Sequence, residues 1–353
     1  MLPIAMTTGA SVFLIYNAVP CLHRFGPFLS DTVGLLQPTF IFSMLFLTFC
    51  RIEPKDLKPH RWHWWLLLIQ GGLFFVLGLV AYVLISALSV ERGDWVVLVE
   101  CAMLCLICPT ATAAAVVTRK LGGDVPGITT YIILINLLTA VLVPLVVPLV
   151  HPVADIDFWT AFSMIMAKVF PLLIMPCLTA WLVRYLFPKL HRWFLKFPDL
   201  AFYIWSVALA LAIAITTKSI VRSDMSVRML LMMAVISLVC CVLQFGLGRF
   251  VGSSYQPRYA GRDCRSVPAM TDPRQARGDC RSVPDPRHAR PDRASVLASR
   301  KVTAGQALGQ KNTIFAIWMA YTFMTPESSI VGGFYSIWHN LYNSWQLYRH
   351  SRS

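Results

Sequence analysis

The sequence predicts an all-α polytopic membrane protein with ten transmembrane helices, and three observations lead to this fold class. Hydrophobic residues make up 57% of the 353 residues and charged residues only 14%, whereas a soluble domain carries roughly 25% charged residues. Apolar runs long enough to cross a bilayer, about 20 residues, recur along the whole chain. Basic residues concentrate in alternate loops, as the positive-inside rule requires.

The apolar runs define ten predicted spans. They are residues 3–22, 33–50, 63–88, 95–118, 126–150, 158–187, 199–217, 229–252, 304–324 and 328–348. The first run lacks a basic leader region and a clear cleavage site, so we interpret it as a span and not as a cleaved signal peptide.

The loops on one predicted side of the membrane carry most of the basic residues. They include Arg51, Lys55, Lys58, Arg61, Arg119, Lys120, Arg184, Lys189, Arg192 and Lys196. Cytoplasmic loops are the ones enriched in Lys and Arg, so we expect both termini to be cytoplasmic and the protein to lie in the cytoplasmic (inner) membrane. The net charge is +14, but the basic residues sit in short loops between spans, which disfavours nucleic acid as a partner.

Residues 253–303 differ from the rest of the chain. This segment holds 11 Lys and Arg residues against 5 Asp, is rich in Pro, and contains a near-duplication of GDCRSVP-like sequence. Such a composition cannot bury a core and predicts disorder. We interpret it as an inserted repeat in a tolerant loop; a partner site or attraction to anionic lipid are the alternatives.

The stretch 100–120 interrupts the fourth span. It reads ECAMLCLICPTATAAAVVTRK, and proline inside a helix removes a hydrogen bond and clashes with the preceding turn. The fourth span of the second half, 304–324, is also irregular, with Gly305, Gly309 and Lys311 inside it. Corresponding interruptions in two halves indicate an inverted-repeat transporter, here five spans plus five, with its binding site at the breaks.

Two motifs resemble the bile acid:sodium symporter family. One is CPTATAAAVVT at 108–118, followed by Gly122, Gly123 and Asp124; the other is GQKN at 309–312 with FYSIWHN at 334–340. The resemblance covers most of the chain apart from 253–303. It implies that the broken helices 4 and 9 cross.

The same resemblance implies a division into two domains. Spans three to five and eight to ten would form a core domain, and spans one, two, six and seven a panel domain. The chain then divides into helices 1–8 at 1–252, the insertion at 253–303, and helices 9–10 with a short cytoplasmic tail at 304–353. The expected substrate is an organic anion (bile-acid-like, a steroid conjugate or a small carboxylate), usually coupled to Na⁺.

The chain departs from the family in the residues that would bind sodium. Ala114 and Ala115 stand where the family motif has Ser-Asn, and Ala307 and Lys311 stand where it has Glu and Gln. Alanine offers no side-chain oxygen, and a lysine 4 Å from Na⁺ would repel it by about 4 kcal/mol. We therefore hypothesise that Lys311 replaces the cation, beside half-helix N-termini, and that transport is sodium-independent.

The predicted crossover site collects the residues around both breaks. They are Pro109, Thr110, Thr112, Ala114, Ala115, Thr118, Gly309, Gln310, Lys311 and Asn312. Glu100 is a candidate proton site, paired with Lys311, because a carboxylate inside a membrane is costly. His339 and Asn340 are interpreted as hydrogen-bond partners between helices.

The leading function is secondary transport of an organic anion, with two alternatives left open. Cys105 and Cys108 form a CxxC on one helical face, so a first alternative is an exporter of arsenite or another soft metal species. The second is a membrane sensor or binding protein that does not transport. We expect no enzyme activity, no bound metal and no cofactor, because neither an acid–base set nor a nucleotide-binding loop is found; the oligomeric state is not predicted.

Overall fold

The structure is a computed structural model that describes residues 2–87, 93–151, 156–197, 200–223, 225–254 and 293–352. Across these ranges the secondary structure is helical, with thirteen α-helices and no β-strand. The helices are α1 Leu2–Ala18, α2 Gly26–Cys50, α3 Arg61–Tyr82, α4 Asp94–Ile107, α5 Ala113–Lys120, α6 Val125–Val150, α7 Phe158–Leu186, α8 Pro188–Leu195, α9 Leu200–Arg222, α10 Val227–Ser254, α11 Arg293–Gly309, α12 Thr313–Phe323 and α13 Ile330–His350.

Six helical segments among the described residues are long and apolar enough to cross a membrane. They are Pro20–Cys50, Arg61–Ser86, Val125–Val150, Phe158–Leu186, Tyr203–Arg222 and Val227–Ser254. Two of the other predicted spans, the fourth and the ninth, each consist of two shorter helices, which are α4 and α5 and then α11 and α12. The all-helical membrane class is therefore confirmed, and the count of ten spans stays a prediction.

The edges of the predicted disordered segment are helical, so that part of the prediction is wrong. Ser253 and Ser254 end α10, and Arg293–Thr303 form the first turns of α11; residues 255–292 lie outside the described residues. The physical reason is close packing of α11 on α10. Gly248 and Gly252 are four residues apart, and a Cβ on Gly252 would lie 2.6 Å from the carbonyl oxygen of Arg300. Small residues at this spacing let two helix backbones approach closely in membranes.

The helices pack in two groups. The first group consists of α1, α2, α7 and α9, in which α2 contacts α7 and α9, and α9 contacts α1. Helices α3, α4, α6, α10, α11 and α13 form the second group, in which α10 contacts α4, α11 and α13. The groups meet where α6 packs on α7 and where α12 and α13 touch α9.

Candidate functional site

The two helix breaks pair with each other through their backbones. Thr110 and Lys311 form an isolated antiparallel bridge. The Ala111 amide donates to the Gln310 carbonyl at 2.9 Å, and the Asn312 amide donates to the Pro109 carbonyl at 2.8 Å. An interrupted backbone inside a membrane protein must be satisfied by protein or water. Here each break supplies partners for the other, which fixes their positions.

Side chains from other helices satisfy the carbonyl groups at the end of α4. Gln70 Nε2 donates to the Ile107 and Cys108 oxygens at 3.3 and 3.1 Å, and Thr139 Oγ1 donates to Ile107 at 3.1 Å. Gln244 Nε2 donates to the Cys105 oxygen at 3.0 Å. The last carbonyls of a helix have no partner within it, so these side chains hold the C-terminal end of α4 in place.

The end of α11 is held in the same way. Thr110 Oγ1 donates to the Ala307 oxygen at 2.5 Å, and the Tyr335 hydroxyl donates to the Gly309 oxygen at 2.8 Å. A Cβ on Gly309 would collide with the ring of Phe245. Gly309 is therefore required for the close packing of α11 against α10 at the break.

Lys311 is buried, with 2% of its surface exposed. Its Nζ lies 3.4 Å from the carbonyl oxygen of Leu106, in the last turn of α4. The sequence placed this lysine beside half-helix N-termini, but its amine lies at a helix C-terminus. That end carries partial negative charge and stabilises a cation, so the ammonium occupies a position that suits a bound cation.

The N-terminal ends of α5 and α12 line a narrow cleft of about 10 Å³ between the two helix groups. Its wall contains Met44, Ala111, Thr112, Trp205, Gln310, Lys311, Asn312, Thr313, Ile314, Ser336 and His339. Asn312 caps α12 by accepting a hydrogen bond from the Phe315 amide at 3.2 Å. Two helix N-termini directed at one cleft favour an anionic ligand, because the dipoles of both helices place partial positive charge there.

Two polar atoms in this cleft lack a hydrogen-bond partner within the described part of the chain. They are Oε1 of Gln310 and Nδ1 of His339, and both residues are 3% exposed. Buried polar atoms are normally satisfied, so these atoms are available to a ligand or to water. The predicted role of His339 and Asn340 between helices is wrong for Asn340, whose amide donates to the Ser336 carbonyl of its own helix.

Four of the ten predicted crossover residues line the cleft, and three more, Pro109, Thr110 and Gly309, form contacts between the breaks; the remaining three lie elsewhere. Ala114 and Ala115 pack in an apolar cluster with Ile128, Tyr131 and Leu308. Thr118 is buried near the end of α5, where its carbonyl accepts from the Gly123 amide at 2.8 Å. The sequence placed Ala114 and Ala115 opposite Lys311, whereas their helical positions turn them toward the α6 and α11 side chains.

Glu100 forms a separate buried cluster. Its carboxylate is 0% exposed; Oε1 lies 3.2 Å from Nδ1 of His151, and Oε2 accepts from the Thr325 amide at 3.0 Å. Leu106, the contact of Lys311, lies six residues further along α4, which is about 9 Å along the helix axis. The structure therefore pairs Glu100 with His151 at the end of α6, and does not bring it to Lys311.

The cysteines of the CxxC motif are buried in the apolar core. Cys105 is 4% exposed and Cys108 1% exposed, and the Cys105 thiol contacts that of Cys240. Within the described ranges, no group of three His, Cys, Asp or Glu residues is arranged to hold a metal ion.

Several residues of the site were not predicted from the sequence. Gln70 and Gln244 are glutamines inside predicted spans, and a polar side chain at membrane depth is a signal that could have identified them. Met44 and Trp205 line the cleft without any motif, and Ser336 belongs to the FYSIWHN motif but was not among the predicted site residues. Only the packing of α2 and α9 against the breaks places Met44 and Trp205 in the cleft.

A helical bundle with two broken, mutually paired helices beside a cleft defines a polytopic membrane protein of the transporter class. The family model of the SBF-like CPA transporter family matches residues 6–342. The chain therefore belongs to that family, which confirms the resemblance to the bile acid:sodium symporters. No curated protein matches the chain.

Replacing Gln70 with leucine is expected to destabilise the protein by about 2 to 5 kcal/mol. The substitution leaves the Cys108 carbonyl without its donor, and the Tyr131 hydroxyl without the Gln70 Oε1 that it reaches at 3.0 Å. Each buried polar group left unpaired costs about 1–3 kcal/mol. The measurement is unfolding of the purified protein in detergent.

Gln37→Leu is the matched control for this substitution. Gln37 is also buried, at 4% exposure, but its amide nitrogen has no partner among the described residues. We expect a neutral or stabilising effect at Gln37. Equal losses at both positions would contradict the role assigned to Gln70.

Proposed function

We propose that the protein is a secondary transporter that carries an organic anion by alternating access at the paired helix breaks. The single observation that carries this proposal is the cleft at which the N-termini of α5 and α12 meet. A carboxylate or sulfate there would face the partial positive charge of both helix N-termini. The neighbouring Thr112, Ser336 and His339 add polar side chains.

The other wall of the cleft supports an amphipathic anion. Met44 of α2 and Trp205 of α9 present apolar surface opposite the helix N-termini. In this structure the cleft encloses only about 10 Å³, about the space of one water molecule, so an organic anion would enter as the two helix groups separate. A bile-acid-like molecule, a steroid conjugate or a small carboxylate would place its charge at the N-termini and its apolar part on Met44 and Trp205.

The two helix groups supply the moving parts in this proposal. The panel would consist of α1, α2, α7 and α9, and the core of α3–α6 and α10–α13, related by a five-plus-five inverted repeat. Support comes from the cleft itself, whose walls come from both groups. Rocking of the panel against the core would open the cleft alternately to each side.

Lys311 makes sodium unnecessary in this mechanism. Its buried amine lies at the negative end of α4, 3.4 Å from Leu106 O, and supplies the positive charge that a bound Na⁺ would supply. Glu100 and His151 form the candidate proton site, about 9 Å from this position along α4. Coupling to protons, or no coupling at all, then replaces coupling to sodium.

The test is flux into proteoliposomes that contain the purified full chain. A panel of labelled bile acids, steroid sulfates and small carboxylates is offered while Na⁺ and pH gradients are imposed separately. We expect saturable uptake of at least one anion, unchanged when choline replaces Na⁺. His339→Leu should weaken uptake about tenfold or more, since a hydrogen bond to a charged group contributes about 1.5–3 kcal/mol.

Each alternative has its own signature in the same experiment. His23→Leu, an exposed histidine outside the cleft, is the control and should behave as the unmodified chain. Anion binding without flux would contradict transport and favour a sensor. Arsenite resistance in cells that is lost in Cys108→Ser would favour the exporter.

A further inference from the structure

Helix α8, which follows α7 directly, has a surface divided into three stripes. At about 100° per residue, positions three and seven residues apart lie on one face. The buried stripe contains His191 and the half-buried Phe194. The exposed apolar stripe contains Leu190 and Trp193 and continues with Phe197 just beyond the helix, and the exposed basic stripe contains Lys189 and Arg192 and continues with the C-cap residue Lys196. The apolar stripe is 44–49% exposed, so the protein itself does not cover it.

The buried stripe fixes α8 to the end of α2. His191 is 6% exposed, and its Nε2 donates to the Cys50 carbonyl at 2.8 Å. The ring of Phe194 meets that of Phe46 edge-on at 5.2 Å. Arg51, which follows α2, adds a third contact by donating a hydrogen bond to the Phe197 carbonyl at 2.8 Å. The orientation of the two exposed stripes is therefore set by the fold.

Basic charge dominates the surface around α8. The neighbouring loop between α2 and α3 adds Arg51, Lys55, Lys58 and Arg61 against Glu53 and Asp56. The Glu53 carboxylate forms ion pairs with Lys55 Nζ at 2.5 Å and with an Arg184 guanidinium nitrogen at 3.5 Å. The hydrogen bond from Lys55 lowers the pKa of Glu53. This carboxylate is thus neutralised locally, and the basic stripe of α8 remains in excess.

We propose that α8 is an interfacial helix that binds anionic phospholipid. Its apolar stripe would enter the boundary between headgroups and acyl chains, and its basic stripe would contact the phosphate headgroups beside it. An amphipathic helix with Lys and Arg on its polar face and Trp, Phe and Leu on the other binds in this way. The loops next to α8 belong to the side that the sequence predicts as cytoplasmic, where anionic lipids attract basic segments.

The test measures lipid binding to the purified full chain in detergent, with native mass spectrometry as the readout. Phosphatidylglycerol and phosphatidylcholine with identical acyl chains are titrated separately. We expect a preference for phosphatidylglycerol, weakened at least about tenfold in Lys189→Gln/Arg192→Gln/Lys196→Gln, because each basic residue near an anionic surface contributes to binding. Leu190→Ser/Trp193→Ser should weaken binding of both lipids, and neither variant alters the buried stripe.

A matched variant separates α8 from general charge effects. Arg119→Gln/Lys120→Gln/Arg352→Gln removes the same charge from exposed positions outside α8, on α5 and in the turn after α13, and should leave the preference unchanged. An equal loss in this control would overturn the proposal, as would an absence of preference in the unmodified chain. Displacement of phosphatidylglycerol by polyglutamate or a short RNA at equal charge would assign the surface to a soluble polyanion instead. None of these outcomes depends on whether the chain transports an anion.

Discussion

Replacing Lys311 with methionine is expected to abolish anion uptake without weakening the fold. Methionine fills a similar volume in the site, where the side chain is 2% exposed and its amine has a single hydrogen bond, 3.4 Å long, to Leu106 O. Replacing a buried charge with a well-packed apolar residue is often neutral or stabilising. The anion, in contrast, loses the fixed positive charge beside its cleft, a Coulomb interaction of about 4 kcal/mol at 4 Å in an effective dielectric near 20.

The two effects are measured on the same preparation. Uptake in proteoliposomes gives the transport rate, and unfolding in detergent gives the stability. Lys168→Met is the control, because Lys168 also lies within a long apolar helix but is exposed and rests on the ring of Phe323 at 5.6 Å. Sodium-dependent uptake that survives Lys311→Met would show that the lysine does not replace the cation.

Replacing Glu100 with alanine is expected to destabilise the protein by about 3–5 kcal/mol. The carboxylate accepts from the Thr325 amide at 3.0 Å and pairs with His151 at 3.2 Å, and it is fully buried. Alanine leaves the Thr325 amide without its acceptor, which costs about 1–3 kcal/mol, and opens a cavity in a packed site, which costs more. Glu100→Gln keeps the shape and one acceptor oxygen, so its loss should be smaller, about 1–3 kcal/mol.

The glutamine variant also tests the proton site. An amide cannot take up and release a proton in place of the carboxylate, so transport by Glu100→Gln should lose its dependence on pH. Glu327→Gln is the control, since Glu327 lies in the same turn as Thr325 but is partly exposed. A pH profile of Glu100→Gln that matches the unmodified chain would remove Glu100 from the mechanism.

Local signals in the sequence predicted the membrane class and the positions of both breaks. Proline at 109 cannot continue a helix, and α4 ends at Ile107, two residues before it. The glycine and polar residues at 309–312 mark the second break, where α11 ends at Gly309. Composition predicted disorder at 293–303, and this prediction was wrong. Gly248 and Gly252 of α10 let this polar segment pack closely as the first turns of α11. Helix α8 was missed because eight residues are too short for an apolar run to show.

The sequence by itself determined that the chain is a multi-pass helical membrane protein with two interrupted helices, because hydropathy and proline act over a few neighbouring residues. The tertiary structure decided which groups meet at those interruptions. Lys311 reaches Leu106 across 205 positions, and Glu100 meets His151 across 51 and Thr325 across 225. Such pairs leave no local pattern, since a buried charge finds its partner only when separate helices pack and exclude water.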